Sequence, residues 1–186
     1  MTNPVGTRDI DPVDTADIGM AESWVQVLRG RGDRAAVVEA DTGRTVSGRA
    51  LADGVNTATT RWRHRYPDGA TIALTGFNGI PWLRTMLGMS AAGCVTATIN
   101  PLGAPAEILA QLHRCRARHL VADPSVLARV NDDLDTTVSS EELRPDEPAE
   151  SAAALDLPAQ HPDQVQLLMT SSGTSSSRQY ERMPWW

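Results

Sequence analysis

The sequence contains no lysine, so all 17 basic side chains among its 186 residues are arginines. A step that depends on a lysine amine therefore cannot be carried out by this chain alone, because the guanidinium differs from it in shape and acidity. Basic residues are also outnumbered, since 23 acidic residues give a formal net charge of −6. A basic face normally meets nucleic-acid or membrane surfaces, so no nucleic-acid partner is expected.

Cysteine is scarce as well. The two cysteines, Cys94 and Cys115, have neither the spacing of a metal site nor that of a redox pair. This usage is typical of a reducing compartment, and the two thiols are interpreted as small buried apolar side chains. The four histidines show no metal-ligand spacing either, so no metal site is predicted.

Long apolar runs are absent. The most apolar stretch, 80–99, is interrupted by Arg84, Gly88 and Gly93, which indicates a buried helix and strand and no transmembrane span. The first residues are rich in Asp, Thr and Pro and lack the order of a secretory signal. Residues 1–19 are therefore interpreted as a mobile leader, and a cytoplasmic protein is expected.

The following part of the chain alternates between helix and strand patterns. Periodicity and caps predict helices around 24–30, 48–66, 81–92, 105–116 and 124–130, and apolar runs predict strands at 35–39, 45–46, 71–75, 95–99, 119–122 and 165–170. Such alternation predicts an α/β fold, a doubly wound and mostly parallel sheet flanked by helices. Residues 139–164, which are acidic and rich in proline and alanine, are interpreted as a connector.

The last predicted strand leads into a hydroxyl-rich loop. Its residues are Thr170, Ser171, Ser172, Gly173, Thr174 and Ser175. Glycine admits positive φ and small side chains permit close approach, so hydroxyls and backbone N–H groups can converge there on phosphate oxygens. The alternative interpretation is a solvated serine-rich segment that binds nothing.

Three segments occur in a recognisable order. They are 71–78 with the helix end Ala91-Ala92-Gly93, then Asn100-Pro101-Leu102, then 162–174 with its Ser-Ser-Gly-Thr sequence. This order resembles the N-terminal portion of the adenylate-forming (AMP-binding) superfamily, and most of all its acyl- and aryl-CoA ligases of the 4-coumarate–CoA ligase type. The resemblance implies the N-terminal part of the acyl-CoA-synthetase-like fold over 20–175.

Relatives of this kind convert a carboxylic acid, ATP and CoA into an acyl-CoA, AMP and pyrophosphate. The resemblance therefore implies a carboxylic acid substrate and ATP, Mg²⁺ and CoA as cofactors. It also implies that Thr170 to Ser175 form the phosphate-binding loop, while no catalytic residue is assigned to this chain.

The sequence departs from the family pattern after Ser175. The family loop continues Gly-x-Pro-Lys-Gly, whereas Ser176, Ser177 and Arg178 follow here. Residues 176–186 are therefore interpreted as a tail outside the family pattern, left by truncation or a frameshift. The chain is expected to be inactive and poorly soluble on its own.

Two alternatives remain open. The first is a non-catalytic binding or interaction module, or one half of a split enzyme completed by a C-terminal chain. The second is a fragment of a peptide-synthetase adenylation domain. Two further interpretations concern single residues. Asn78 and Asn100 are interpreted as turn residues, and Arg61, Arg63 and Arg65 as a solvated helix face.

Overall fold

The computed structural model describes residues 19–144, 164–170 and 180–183. Its helices are α1 (Met20–Arg31), α2 (Gly48–Arg65), α3 (Ile80–Ala91), α4 (Pro105–Cys115) and α5 (Pro124–Val130). Its strands are β1 (Ala35–Val38), β2 (Thr45–Ser47), β3 (Thr71–Thr75), β4 (Val95–Ile99), β5 (His119–Ala122), β6 (Ser139–Glu142), β7 (Leu167–Thr170) and β8 (Tyr180–Met183). The predicted leader lies outside the described residues, except for its last residue.

The main sheet has six strands in the order β6-β5-β3-β4-β7-β8. Five of them run parallel, and β8 alone is antiparallel to its neighbour β7. The predicted doubly wound, mostly parallel sheet is therefore confirmed. β1 and β2 form a separate antiparallel hairpin.

Helices cover both faces of this sheet. On one face Ile72 and Leu74 of β3 pack with Trp62 of α2 and Met89 of α3. On the other face Ala73, between them in the sequence, packs in a cluster with side chains of α4 and α5. β3 is thus buried on both sides, which explains its continuous apolar run.

Helix starts follow from local chemistry. Ser47 Oγ accepts a hydrogen bond from Ala50 N at 3.2 Å at the start of α2, and Asp123 Oδ1 accepts one from Ser125 N at 2.9 Å at the start of α5. Three helix starts, including that of α5, carry a proline, at Pro81, Pro105 and Pro124. Proline suits the first turn because the N–H it lacks has no partner there.

A third apolar cluster joins α1, α2 and α3 on one side of the sheet. Leu28 of α1, Leu51 and Val55 of α2 and Leu87 of α3 are buried in it. The hairpin β1–β2 packs against the same cluster through Val37 and other partly buried side chains. None of the described helices is long and apolar enough to cross a membrane.

The interpretation of 139–164 as a connector is wrong for its first four residues. Ser139–Glu142 forms β6, which pairs in parallel with β5, His119 opposite Ser139 and Ala122 opposite Glu142. The sequence Ser-Ser-Glu-Glu has no apolar residue, so nothing in its pattern signals a strand. At the edge of a sheet, however, one row of backbone partners is sufficient for pairing. Residues 145–163 lie outside the described part.

The segment 176–186 contains a strand that its sequence pattern does not predict. β8 runs antiparallel to β7, with Thr170 opposite Tyr180 and Leu167 opposite Met183. β8 therefore forms the edge of the sheet beside β7.

Candidate functional site

The candidate site lies at the carboxyl ends of β3, β4 and β7. α3, which follows β3, packs on one face of the sheet, and α4, which follows β4, packs on the other. In doubly wound sheets, ligands bind in the crevice that opens where consecutive connections diverge in this way. A cleft of about 460 Å³ lies there. It is lined by Gly76, Asn78, Trp82, Met86, Thr98, Ile99, Asn100, Pro101, Leu167 and Met169.

The Asn-Pro-Leu turn forms one wall of the cleft. Asn100 Oδ1 accepts a hydrogen bond from Leu102 N at 3.0 Å, so the side chain closes the turn, and the interpretation of Asn100 as a turn residue is confirmed. Arg129 of α5 donates from Nη1 to Pro101 O at 2.9 Å and from Nη2 to Gly103 O. The wall is therefore fixed by its own side chain and by a neighbouring helix.

The opposite wall is the bend between β3 and α3. Asn78 is exposed in this bend and lines the cleft. The first helical N–H group, Ile80 N, donates to Glu39 Oε1 at 3.1 Å. Because Glu39 belongs to the β1–β2 hairpin, this small hairpin holds the start of α3 in place. Sequence reasoning missed this role, since the two residues are 41 positions apart.

The third wall is β7, whose last residue, Thr170, is the first residue of the predicted hydroxyl-rich loop. Leu167 and Leu168 lie opposite Thr96 and Ala97 of β4, and Thr98 Oγ1 donates to Leu168 O at 3.5 Å. The strand ends at Thr170. The structure thus places the start of the predicted loop at the mouth of the cleft, whereas Ser171, Ser172, Gly173, Thr174 and Ser175 lie outside the described residues.

The described lining of the cleft is electrically neutral. It consists of apolar side chains, the indole of Trp82, two asparagines, one threonine and a glycine. Such a lining fits the uncharged or aromatic part of a ligand. It contains no cationic side chain, so a positive charge for phosphate groups has to come from residues beyond this lining. Among the described residues, no group of three potential ligand side chains is arranged for a metal ion.

A second polar cluster lies at the β6 edge, outside the cleft. Glu141 Oε1 accepts from Arg61 Nη2, and Glu141 Oε2 accepts from Arg65 Nη1. The interpretation of these arginines as a solvated face is wrong for Arg61, whose side chain is only 19% exposed, and Arg65 is ion-paired as well. The i, i+4 spacing of the two arginines indicates from the sequence that they lie on one face of the helix. It does not reveal which residue is their partner.

Burial shifts the pKa values of two neighbours in this cluster. His119 Nδ1 lies 2.5 Å from Ser139 Oγ, and its ring contacts Trp62 and Tyr66. Burial lowers the pKa of His119, and the nearby carboxylate of Glu141 opposes this shift. Burial raises the pKa of Tyr66. Both rings are therefore held in their neutral forms, as expected for packing residues rather than acid–base groups.

A comparison with protein families settles the affiliation of this scaffold. The model of the AMP-binding enzyme family matches residues 24–177, which is most of the chain. The chain belongs to this family. The matched residues include the cleft walls and the predicted loop. The resemblance drawn from the sequence is confirmed.

Individual relatives agree with this affiliation. The chain is 31% identical over 111 residues to a 4-coumarate–CoA ligase of Oryza sativa subsp. japonica, covering 56% of this chain and 20% of that protein. It therefore spans about one fifth of the length of this relative.

Solved structures share the fold. The N-terminal subdomain of NpsA from Klebsiella oxytoca matches with a TM-score of 0.74 at 15% identity, covering 88% of this chain and 41% of that one. A luciferase-like enzyme from the nonluminescent mealworm Zophobas morio matches with a TM-score of 0.77 at 11% identity, covering 96% and 45% of the two chains. At these identities the likeness shows the fold alone. The same NpsA subdomain has been solved in complex with 3-hydroxybenzoyl-AMSN.

Proposed function

We propose that this chain is the N-terminal part of an AMP-forming acid–CoA ligase. In the assembled enzyme a carboxylate would attack the α-phosphate of ATP and release pyrophosphate, and the thiol of CoA would then displace AMP to give the thioester. The observation that supports the proposal is the position of the end of β7, whose last residue, Thr170, directly precedes the Ser-Ser-Gly-Thr sequence. β7 ends beside a cleft at the carboxyl ends of a doubly wound sheet.

The residues of this chain suit two parts of the reaction, the binding of the ATP phosphates and the binding of the acid. Thr170, Ser171, Ser172, Gly173, Thr174 and Ser175 would donate hydroxyl and backbone N–H groups to the phosphates of ATP. The neutral cleft with Trp82 suits the organic part of an acid, and the relative's name points to an aromatic acid. Mg²⁺ would neutralise phosphate charge during the transfer. CoA would have to enter from a part of the enzyme that this chain does not supply.

We propose that the chain by itself is inactive. It contains no lysine, and arginine does not reproduce the compact charge of an ammonium group beside a phosphate. It also corresponds to about one fifth of the length of its ligase relative. The alternative of a split enzyme, in which a second chain supplies the rest, rests on the same facts.

Pyrophosphate–ATP exchange with a panel of carboxylic acids tests the proposal in two arms. We expect no exchange with the chain alone. A chimera of residues 1–175 with the remaining segment of the rice ligase relative should catalyse exchange, because the scaffold supplies the cleft and the loop. Exchange by the chain alone would contradict its inactivity. A folded chimera without exchange would contradict the ligase function.

Loop variants in the chimera test the role of Thr170 to Ser175. Gly173→Val blocks close backbone approach, and we expect exchange to fall on the order of 100-fold, as when an aligned N–H donor is lost. Ser140→Ala, on the opposite edge strand β6, is the matched control and should change exchange less than about twofold. An equal effect of both variants would remove the loop from the proposal.

We also propose that the protein is cytoplasmic. Both thiols, Cys94 and Cys115, are free and buried in the structure. Reduced cysteines fit a cytoplasmic enzyme that uses ATP and CoA.

A further inference from the structure

A cavity of about 280 Å³ lies between the end of α1 and the first half of α2. At about 30 Å³ per water molecule in the liquid, this volume holds roughly nine waters, so it has room for a small molecule but not for a nucleotide. Its lining residues are Arg29, Gly32, Arg49, Ala52, Asp53 and Asn56. None of these residues lines the candidate cleft, and the proposed ligase reaction uses none of them.

A close contact between the two helices holds the walls of this cavity together. A Cβ atom added at Gly48, the first residue of α2, would lie 2.3 Å from Leu28 O and 2.7 Å from Arg31 Cβ of α1. The backbone N–H of Arg49 also donates to Gly32 O at 2.8 Å. The end of α1 and the start of α2 are therefore fixed against each other, which fixes the shape of the cavity.

Three of the lining side chains lie on one stripe of α2. Arg49, Asp53 and Asn56 follow each other at i, i+4 and i+7, a spacing that places side chains on the same face of a helix. Arg49 and Asp53 are spaced for an ion pair with each other, yet Arg49 pairs with Asp33, its Nε lying 2.9 Å from Oδ1. In the part of the chain that the structure describes, no ion pair engages Asp53 or Arg29. Both charged side chains are therefore available to a ligand.

The side-chain amide of Asn56 forms the most buried part of the cavity wall. Asn56 is only 4% exposed, and its Oδ1 atom has no hydrogen-bond partner among the described residues. A buried acceptor without a partner costs free energy, so a ligand that donates a hydrogen bond to it recovers that free energy. Asp53 is half-buried, whereas Arg29 and Arg49 are exposed. The cavity thus has acceptors on its inner side and guanidinium donors at its mouth.

We propose that this cavity binds a small zwitterion, and that free α-amino acids with a small side chain are its ligand class. The ammonium group donates to the Asp53 carboxylate and to Asn56 Oδ1, which can turn towards it because the last torsion of asparagine is soft. The carboxylate accepts hydrogen bonds from the guanidinium groups of Arg29 and Arg49. The formal charges of these two arginines and of Asp33 and Asp53 cancel, so the site suits a ligand without net charge.

Titration of the full chain with L-alanine tests the proposal, because L-alanine carries both charges and the remaining walls, Gly32 and Ala52, leave room for its methyl group. Ligand-observed NMR should show saturable binding with a Kd on the order of 1 mM. N-acetyl-L-alanine lacks the ammonium group and L-alaninamide lacks the carboxylate, so each should bind more weakly by about tenfold or more. No saturation with L-alanine up to about 10 mM, or equal binding of either blocked compound, would overturn the proposal. Because the measurement is binding and not exchange, its outcome is independent of the ligase function.

Two site variants and a control assign the binding to this cavity. Asp53→Asn keeps the shape of the side chain but removes its charge, so it should weaken the binding of L-alanine by on the order of tenfold. Asn56→Leu replaces an acceptor that has no partner within the described structure, so it should weaken binding similarly while the melting temperature stays the same or rises. Asp132→Asn, an exposed aspartate after α5, is the matched control and should change the Kd less than about twofold.

Unchanged binding by folded Asp53→Asn or Asn56→Leu protein would contradict the proposed site. A large loss of stability in Asn56→Leu would contradict it as well, because the amide would then serve the fold and not a ligand. An equal loss of binding in Asp132→Asn would show that L-alanine does not bind specifically at this cavity.

Discussion

Glu141 shows at the scale of single residues how the edge of the sheet is fixed. Its carboxylate accepts hydrogen bonds from Arg61 and Arg65, which are 80 and 76 positions away in the sequence. The side chains of Glu141 and Arg61 are only 17% and 19% exposed. Ion pairs with so little solvent contact are screened less than pairs on the surface. Glu141 therefore ties β6 to α2.

We predict that Glu141→Gln lowers the free energy of unfolding by about 1–3 kcal/mol, because Arg61 loses its charged partner in a partly buried position. Urea denaturation followed by circular dichroism measures the change. The matched control is Asp33→Asn, which breaks the exposed pair of Asp33 with Arg49, whose side chains are 82% and 67% exposed. This change should cost less than about 1 kcal/mol. Equal effects would contradict the role given to Glu141.

The sequence predicted the role of some single residues but not of others. Asn100 follows a strand and precedes Pro101, a pattern typical of a turn, and its hydrogen bond to Leu102 N confirms that prediction. Arg61 and Arg65 looked like a solvated face because their partner is distant in the sequence. Local patterns specify local hydrogen bonds, but a partner 80 positions away is set by the topology.

At the scale of elements, α2 and α3 pack with little space between them. A Cβ atom added at Gly88 of α3 would lie 2.5 Å from Ala58 Cβ and 3.2 Å from Ala58 C. No real side chains approach each other so closely, and the nearby backbone of α2 cannot move aside as a flexible side chain can. Gly88 therefore permits the close contact of the two helices.

We predict that Gly88→Ala destabilises the protein by about 1–3 kcal/mol through overpacking, despite the higher helix propensity of alanine. Gly30→Ala in α1 is the control, because no atom lies within 4 Å of a Cβ added there. That variant should be neutral or more stable by up to about 1 kcal/mol. Thermal unfolding of both variants gives the comparison. A stabilising effect of Gly88→Ala would show that the helices are not in close contact.

Elements with a clear apolar pattern were predicted with little error. The predicted strands at 71–75, 95–99 and 119–122 have the bounds of β3, β4 and β5. β6 was missed because its four polar residues carry no apolar pattern. β8 was missed because it lies beyond the family motif. Both strands are formed by pairing with a neighbour at the sheet edge, and that pairing is not visible in their own residues.

At the scale of the whole molecule, an apolar rim surrounds the candidate cleft. We define it as Phe77, Leu102 and Met169, which are 52%, 75% and 42% exposed. Phe77 and Leu102 follow β3 and β4, and Met169 is the last residue but one of β7. Exposed apolar groups at one site mark a surface that associates with another surface. The rim gives a structural basis for the expected poor solubility.

We predict that the chain self-associates through this rim and that Leu102→Ser shifts it towards the monomer. A leucine that is fully buried on association contributes about 1.5–3 kcal/mol, so the shift should be large enough for sedimentation velocity to detect. Val38→Ser is the control, because Val38 is 60% exposed but lies on β1, outside the rim. A monomeric wild-type chain with a sharp cooperative melt would contradict this prediction.

The sequence by itself determined the α/β class, the central parallel strands and the family, because apolar runs, caps and the Ser-Ser-Gly-Thr segment are local signals. Only the tertiary structure decided where these signals meet. It placed the Asn-Pro-Leu turn, the bend at Asn78 and the end of β7 around one cleft, and it paired Glu141 with two arginines of α2. Strand order brings these residues together, and that order depends on the packing of helices on both faces of the sheet.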